Sequence, residues 1–467
     1  MRKKSIYLVF IIICAFSCVE NPNVTEDVYL ENPHSVSSWV VGLKRQLAVT
    51  TNTVNVNVAI TSDNYFNNYS QYSKVFDIPQ IDYFDVDVNS LQADVQALRE
   101  MAVYGLDKVI TADASATAED EAFMHFCLGY ANILGGELFT GLPEANLGKM
   151  LTSGEILTLA VGNLDAAISL ETDPKNIQVY HLLKARAYRS LGDVTHAVRE
   201  AEISLSDPSL LYQIEFDGQN GVRNEMQNAV FDALPNRLAP LPRLDFLDPK
   251  YYAVGPPTTD QKPVALAKAE EAYLILAEAY LSEQNTGKAR EVLQKLLILV
   301  GERPVVRVDD SGETRNGGNR TDYPLTAVPV RFDSTGPFRE GLILDRQAGN
   351  IAVHTVSGTS VTLSDIAHAG GVDELLYQVY LLRQEIFIGE GRRLTDLGIK
   401  YPVSQTEQDN NPNVPDAYII AQLPAFIPGN GGMDNFSTEP DGSITIETDM
   451  NRIIVQNKTA SEVVPFF

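Results

Sequence analysis

Apolar side chains recur at helical spacing along most of this chain, and strict alternation is confined to a few short runs. The spacing predicts a first helix over residues 32–49 (NPHSVSSWVVGLKRQLAV), capped by Ser35 or Ser37, with Trp39 near its start. Helical spacing returns over 91–110 and again over 118–134. Gly135 and Gly136 are expected to break the second of these, and ELFTGLPEA to follow as a turn.

Two later segments share one pattern. In residues 178–208 the positions Ala185, Tyr188, Asp193, Ala197 and Ala201 are spaced like Ala277, Tyr280, Asn285, Ala289 and Leu293 in residues 265–300. Small residues let two antiparallel helices approach, the tyrosine fills the gap, and Asp or Asn opens the second helix. This is tetratricopeptide-type chemistry, which has a repeat of about 34 residues. Residues 154–170 read as the second helix of an earlier unit. A repeat of this kind builds an interaction scaffold and carries no reaction by itself.

Between the helical stretches the texture changes. Residues 208–262 are rich in Pro, Asn and Gly, and 301–371 alternate short β-like runs (VVRV, TAVPVRF, IAVHTV, VTL) with polar turns. Residues 402–451 are loop-rich with one expected hairpin at SITIETD, and a short apolar run, RIIVQ, lies near the end. The expected architecture is therefore mainly α: helical hairpins over about 119–300, loop-rich faces over about 50–90 and 301–371, and a few short β-hairpins, within one domain spanning 32–467. Excursions longer than about 15 residues in a compact domain are usually functional or flexible.

The 36 basic and 61 acidic residues give a formal charge of −25, a surface that repels phosphate backbones and anionic headgroups, so nucleic acid is a poor partner. Met1 to Ser17 has a basic start (Arg2, Lys3, Lys4) and an apolar run too short to span a bilayer stably, which reads as a secretory signal over 1–17. Ser17-Cys18 resembles a bacterial lipobox, in which the cysteine is acylated and becomes the new N-terminus. Residues 18–31 would then tether lipid to fold, and acyl chains would anchor without a transmembrane helix. The third cysteine, Cys127, lies on an apolar helix and reads as a small core residue; no disulfide framework or cysteine metal site remains.

Residues 373–400 (DELLYQVYLLRQEIFIGEGRRLTDLGIK) form the most organised stretch. Leu375, Val379, Leu382 and Ile386 share a helical face beside a second stripe of Arg383, Phe387 and Glu390. Gly389 and Gly391 flank Glu390, and Gly398 is placed to cap the segment. The charges are spaced to pair along the helix, a structural network rather than a catalytic one. EGRRLTDLGIKYP resembles the late signature of the SusD/RagB family of outer-membrane nutrient-uptake lipoproteins. Glu390, Gly391, Arg393, Asp396 and Leu397 match its E-G-x-R-x-x-D-L core; Glu385 lies one place further upstream than the family pattern, and the ending beyond Pro402 departs from it. The leader, Cys18, the helical hairpins and this motif occur in the family's order. The resemblance implies a surface-exposed lipoprotein of the outer membrane that caps a TonB-dependent transporter of the SusC type and passes it an oligosaccharide or peptide.

Enzyme motifs are missing: there is no G-x-S-x-G, H-E-x-x-H, P-loop or G-x-G-x-x-G, and no histidines stand at metal-ligand spacing. No catalytic residue, metal or cofactor is therefore assigned. Asp309, Asp310 and Glu313 lack the alternation of a calcium loop and read as an exposed turn. Tyr65, Phe66, Asn67, Asn68, Tyr69 and Tyr72 mix aromatic faces with amides, the combination a glycan groove needs, and are the expected ligand contacts. The competing readings are a repeat scaffold that binds other envelope proteins without a small ligand, and a glycan-cleaving lipoprotein.

Overall fold

A computed structural model describes residues 25–68, 73–232, 237–311, 323–324, 326–345 and 348–467. As the pattern predicts, the chain is mainly α, with a few short two- and three-stranded sheets. Among the described residues no helix is long and apolar enough to cross a membrane.

The first long helix, α1 (Ser35–Thr61), runs well past its expected end. Its second half, TTNTVNVNVAIT, has the β-branched and asparagine-rich texture of extended chain. Tertiary burial overrides that preference: Val54, Val58 and Ile60 are in the core, and Asn52, Asn55 and Asn57 are buried with them. Thr51 and Thr61 donate to carbonyls one turn back at 2.7 and 2.8 Å, which satisfies their hydroxyls inside the helix. Neither Ser35 nor Ser37 caps the N-terminus; Asp113 does so from a distant segment, accepting from Val36 N at 3.0 Å. Trp39 is an anchor, donating from Nε1 to Met101 O at 2.9 Å and packing against Tyr104.

Helix α2 (Val86–Tyr104) starts at an Asp85 cap and continues through a π-turn, Gly105–Val109. Helix α3 (Ala118–Leu138) is not broken by its glycines: it passes through Gly135 and Gly136. A Cβ on Gly136 would meet Leu157 Cγ at 2.6 Å and Ser153 O at 3.0 Å, so the residue is small because α4 (Ser153–Leu170) crosses there. The GLPEA turn is a hairpin of β2 (Gly141–Pro143) and β3 (Met150–Thr152).

The repeats form as expected. Helices α5 (Pro174–Ser190) and α6 (Val194–Ser204) make one hairpin, α7 (Ala269–Ser282) and α8 (Thr286–Glu302) another, and neighbouring helices pack in chain order from α3 onward. Ala185, Ala197, Ala201, Ala277, Ala289 and Leu293 are wholly buried between helices, while Tyr188 and Tyr280 lie half-buried. Asp193 and Asn285 cap the second helices through His196 N and Lys288 N, at 3.0 and 3.1 Å.

The remaining strands tie excursions to this scaffold. Strand β1 (Tyr65–Asn67) pairs antiparallel with β5 (Leu238–Pro240), and β4 (Leu211–Ile214) with β6 (Val264–Lys268). VVRV is β7 (Val305–Val308), and it pairs with β9 (Ile351–His354). Only Val330–Arg331 of TAVPVRF is a strand, β8, lying parallel to β11 (Ile444–Ile446) of the expected hairpin, whose other arm is β10 (Phe436–Thr438). VTL is not extended: Thr362 caps a helix beginning at Leu363. RIIVQ lies in the last helix, Met450–Gln456.

Candidate functional site

The late motif sits at the molecular centre. Helix α9 (Val372–Ile386) buries its predicted stripe of Leu375, Val379, Leu382 and Ile386 completely. A tight turn then leads into α10 (Arg393–Leu397), which Gly398 closes in the left-handed conformation at φ 70°. Gly391 has φ 68°, and a Cβ there would meet Asn55 Oδ1 at 2.8 Å and Val54 Cγ1 at 2.9 Å. The signature glycine thus lets the turn lie against α1.

The signature charges pair mostly with distant elements rather than along their own helix. Arg383 does reach Asp396, at 2.8 Å. Arg393, however, grips Asp63 beyond α1 with two hydrogen bonds of 2.6 and 2.8 Å. Burial alone would raise the Asp63 carboxyl, but the Arg393 charge and hydrogen bonds, helped by Arg243, hold it below the usual carboxylate range. Glu390 receives Lys250 and Lys268 together, Lys268 at 2.8 Å. Arg392 donates to Leu266 O at 2.6 Å and to Glu271 at 3.2 Å. Gln384 joins the set, donating to Asp63 Oδ2 at 2.9 Å and accepting from Arg243 and from Asn451 Nδ2, the latter at 2.8 Å. Arg243 also reaches Asp449, which caps the last helix. These partners are buried and pair with one another across distant segments, so the geometry is that of a structural clamp; sequence spacing could not reveal partners hundreds of residues away.

The expected ligand segment divides. Tyr69 and Tyr72 lie outside the described residues, as do Cys18 and the leader. Tyr65, Phe66, Asn67 and Asn68 are buried, with 1 to 3% exposure, instead of forming an open aromatic platform. Phe66 packs on Tyr323 at 5.7 Å between ring centres. Three consecutive residues of β1 are covered on both faces, so here the aromatic and amide mixture serves packing. Alternation alone does not distinguish a sugar platform from a strand buried on both sides.

Close by is a cavity of about 340 Å³, lined by Asn52, Thr53, Val56 and Asn57 of α1, Asp87 of α2, Glu225, Asn228 and Ala229, and Arg237. Its floor is the polar second half of α1, a stretch expected to be loop. Asn52 holds the opposite wall, donating to Arg223 O at 2.7 Å and accepting from Glu225 N at 2.9 Å. Arg237 donates to Ser73 Oγ at 2.8 Å, and Ser73 in turn bonds Asp87, which orients the guanidinium beside the opening. Asn228 lies in a π-turn, Asn228–Asp232, a distortion frequent at functional sites. The cavity offers carboxamides, a hydroxyl, two carboxylates and one cation around a small apolar wall, a set able both to donate to and to accept from hydroxyl or amide groups.

Other sequence candidates resolve as structure. Cys127 is buried, and burial pushes its thiol up. His181 bonds Glu200 at 2.6 Å and His196 bonds its capping Asp193 at 2.7 Å. Asp309 accepts from Ser311 N at 2.9 Å, as a turn does; Asp310, expected in an exposed turn, is instead buried and accepts from Gly349 N at 2.7 Å, 39 residues on, while Glu313 lies outside the described residues. Among the described residues no group of three or more His, Cys, Asp or Glu is placed to hold a metal.

No known family profile matches the sequence, and no curated protein sequence is similar enough to count as a relative. Solved structures do match. A candidate sugar-binding protein from Bacteroides vulgatus superposes with TM-score 0.54 at 13% identity, over 84% of this chain and 98% of its own. A SusD superfamily protein from Bacteroides fragilis gives TM-score 0.52 at 13% identity, covering 82% and 99% respectively. A SusD/RagB family protein from Bacteroides thetaiotaomicron gives 0.50 at 15% identity, covering 80% and 96%. The chain has the SusD-like fold.

Proposed function

We propose that this protein captures an oligosaccharide, or a peptide, at the outer membrane and delivers it to a TonB-dependent transporter of the SusC type, tethered through acylated Cys18. The observation that carries the reading is the fold match along 84% of the chain to a protein described as a candidate sugar binder. The cavity beside Arg237 supports it chemically, since carboxamides and carboxylates at one mouth suit the paired donors and acceptors of sugar hydroxyls. The SusC-type partner and the anchor follow from the resemblance at the leader and the late motif.

Calorimetric titration of residues 25–467 against oligosaccharides and peptides tests the reading. A saccharide should bind, and Arg237→Ala or Asn228→Ala should weaken it about tenfold or more, the loss expected for a hydrogen bond to a charged or well-placed polar group. A peptide hit keeps the receptor and changes its cargo. Silence across both panels, with the full chain copurifying only with other envelope proteins, would replace it with the scaffold reading; release of reducing ends would make it a hydrolase. The full chain should also leave the membrane fraction on Cys18→Ser.

A further inference from the structure

A second cleft, of about 680 Å³, lies between α2, the β2–β3 loop and the short helix Gln405–Asn410. It shares no lining residue with the cavity beside Arg237. We propose that this cleft is a second ligand site, for a neutral, hydroxyl-rich molecule of the saccharide class.

Its lining is unusual for this chain. On a protein with 61 acidic and 36 basic residues, the walls carry one charge, Glu407, and no lysine or arginine. Phosphate and carboxylate ligands therefore find no counter-charge there. The remaining polar groups are carboxamides and hydroxyls, which offer donor and acceptor together, as sugar hydroxyls require. They are also held in place. Gln92, buried, accepts from Ser404 N at 2.8 Å and donates to Glu407 at 3.4 Å. Asn89 accepts from Thr406 N at 3.1 Å. Gln96 adds a buried Oε1 that accepts no hydrogen bond from the protein, so an acceptor remains for a ligand hydroxyl reached by rotation of its amide.

The lip supplies the apolar half of the site. Leu147, at the tip of the hairpin, stands in the left-handed region at φ 56°, where Gly or Asn is usual, with 52% of its surface exposed. Two amides clamp that backbone: Asn413 Nδ2 donates to Leu147 O and Asn411 Nδ2 to Gly148 O, both at 3.0 Å. An exposed leucine fixed in a costly conformation over an amide-lined cleft, with Ala93 among the lining residues, offers a surface for the C–H face of a sugar ring.

Hydrogen exchange of residues 25–467 with maltohexaose, cellohexaose or mannohexaose at millimolar concentration tests the proposal. One hexasaccharide should slow exchange over 86–97 and 404–411. Ser90→Trp, from an exposed wall position, and Leu147→Asn, which suits the backbone but removes the apolar lip, should each weaken that protection about tenfold without lowering the urea midpoint. No protection there with any of the three, or protection that survives both variants, overturns the site. Protection there by hexa-alanine alone overturns the saccharide class. Slowed exchange confined to 52–57 and 225–229 overturns this cleft and leaves the proposed receptor intact.

Discussion

Lys400 shows how one residue's surroundings set its chemistry. Its ammonium donates to Gly136 O at 2.9 Å and Ser153 Oγ at 2.8 Å behind α10. Burial brings its pKa down to about 8, with Glu137 opposing the shift. A cation whose folded pKa lies below its unfolded one weighs against the fold wherever it is protonated. That penalty is full below about pH 8 and fades as pH rises from there toward the unfolded value near 10.5. Relative to Lys400→Met, the wild type should therefore gain stability between pH 8 and 10, by at most ~1.4 kcal/mol per pH unit. Urea midpoints of both proteins across that range measure the slope; a constant difference would show that Lys400 titrates normally. Nothing in the local sequence, GIKYP, announces this, because the carbonyl and hydroxyl that hold the lysine come from α3 and α4.

At the scale of elements, Gly136 separates two readings of a helix. If it were a breaker, alanine would strengthen the helix by up to ~1 kcal/mol, the difference in helix propensity. Because its Cβ would lie 2.6 Å from Leu157 Cγ, Gly136→Ala should instead destabilise by about 1–3 kcal/mol through overpacking. Thermal melts of the single variant decide the sign. The same scale explains which elements were legible. The hairpins of α5–α6 and α7–α8 have small residues, tyrosine and cap each doing the job their spacing implies, all within one local unit. The second half of α1 was not legible, because its helical state depends on burial against segments far along the chain. The burial of Tyr65 to Asn68 was not legible for the same reason: it comes from pairing with β5 and packing against Tyr323.

Across the whole molecule, the Asp63–Arg393 pair joins the end of α1 to α10 and, through Gln384 and Arg243, to the last helix. Asp63→Asn leaves a buried guanidinium without its counter-charge and should cost about 3–5 kcal/mol. Trp39, the only tryptophan, reports on the packing of α1 against α2, away from that pair. If the clamp makes the chain one cooperative unit, its fluorescence and the far-ultraviolet circular dichroism should shift to the same lower urea midpoint. Separate midpoints would mean that the first helices unfold independently of the clamp.

The sequence by itself determined the mainly helical class, the repeat hairpins, their caps, and the buried stripe of the signature helix. All of these rest on contacts within a few turns, which spacing encodes directly. The tertiary structure alone decided the partners of Glu390, Arg392 and Arg393, the burial of Tyr65 to Asn68, and the two polar cavities. Each of those depends on which distant segments meet, and burial in three dimensions changes what a given polar or aromatic residue can do.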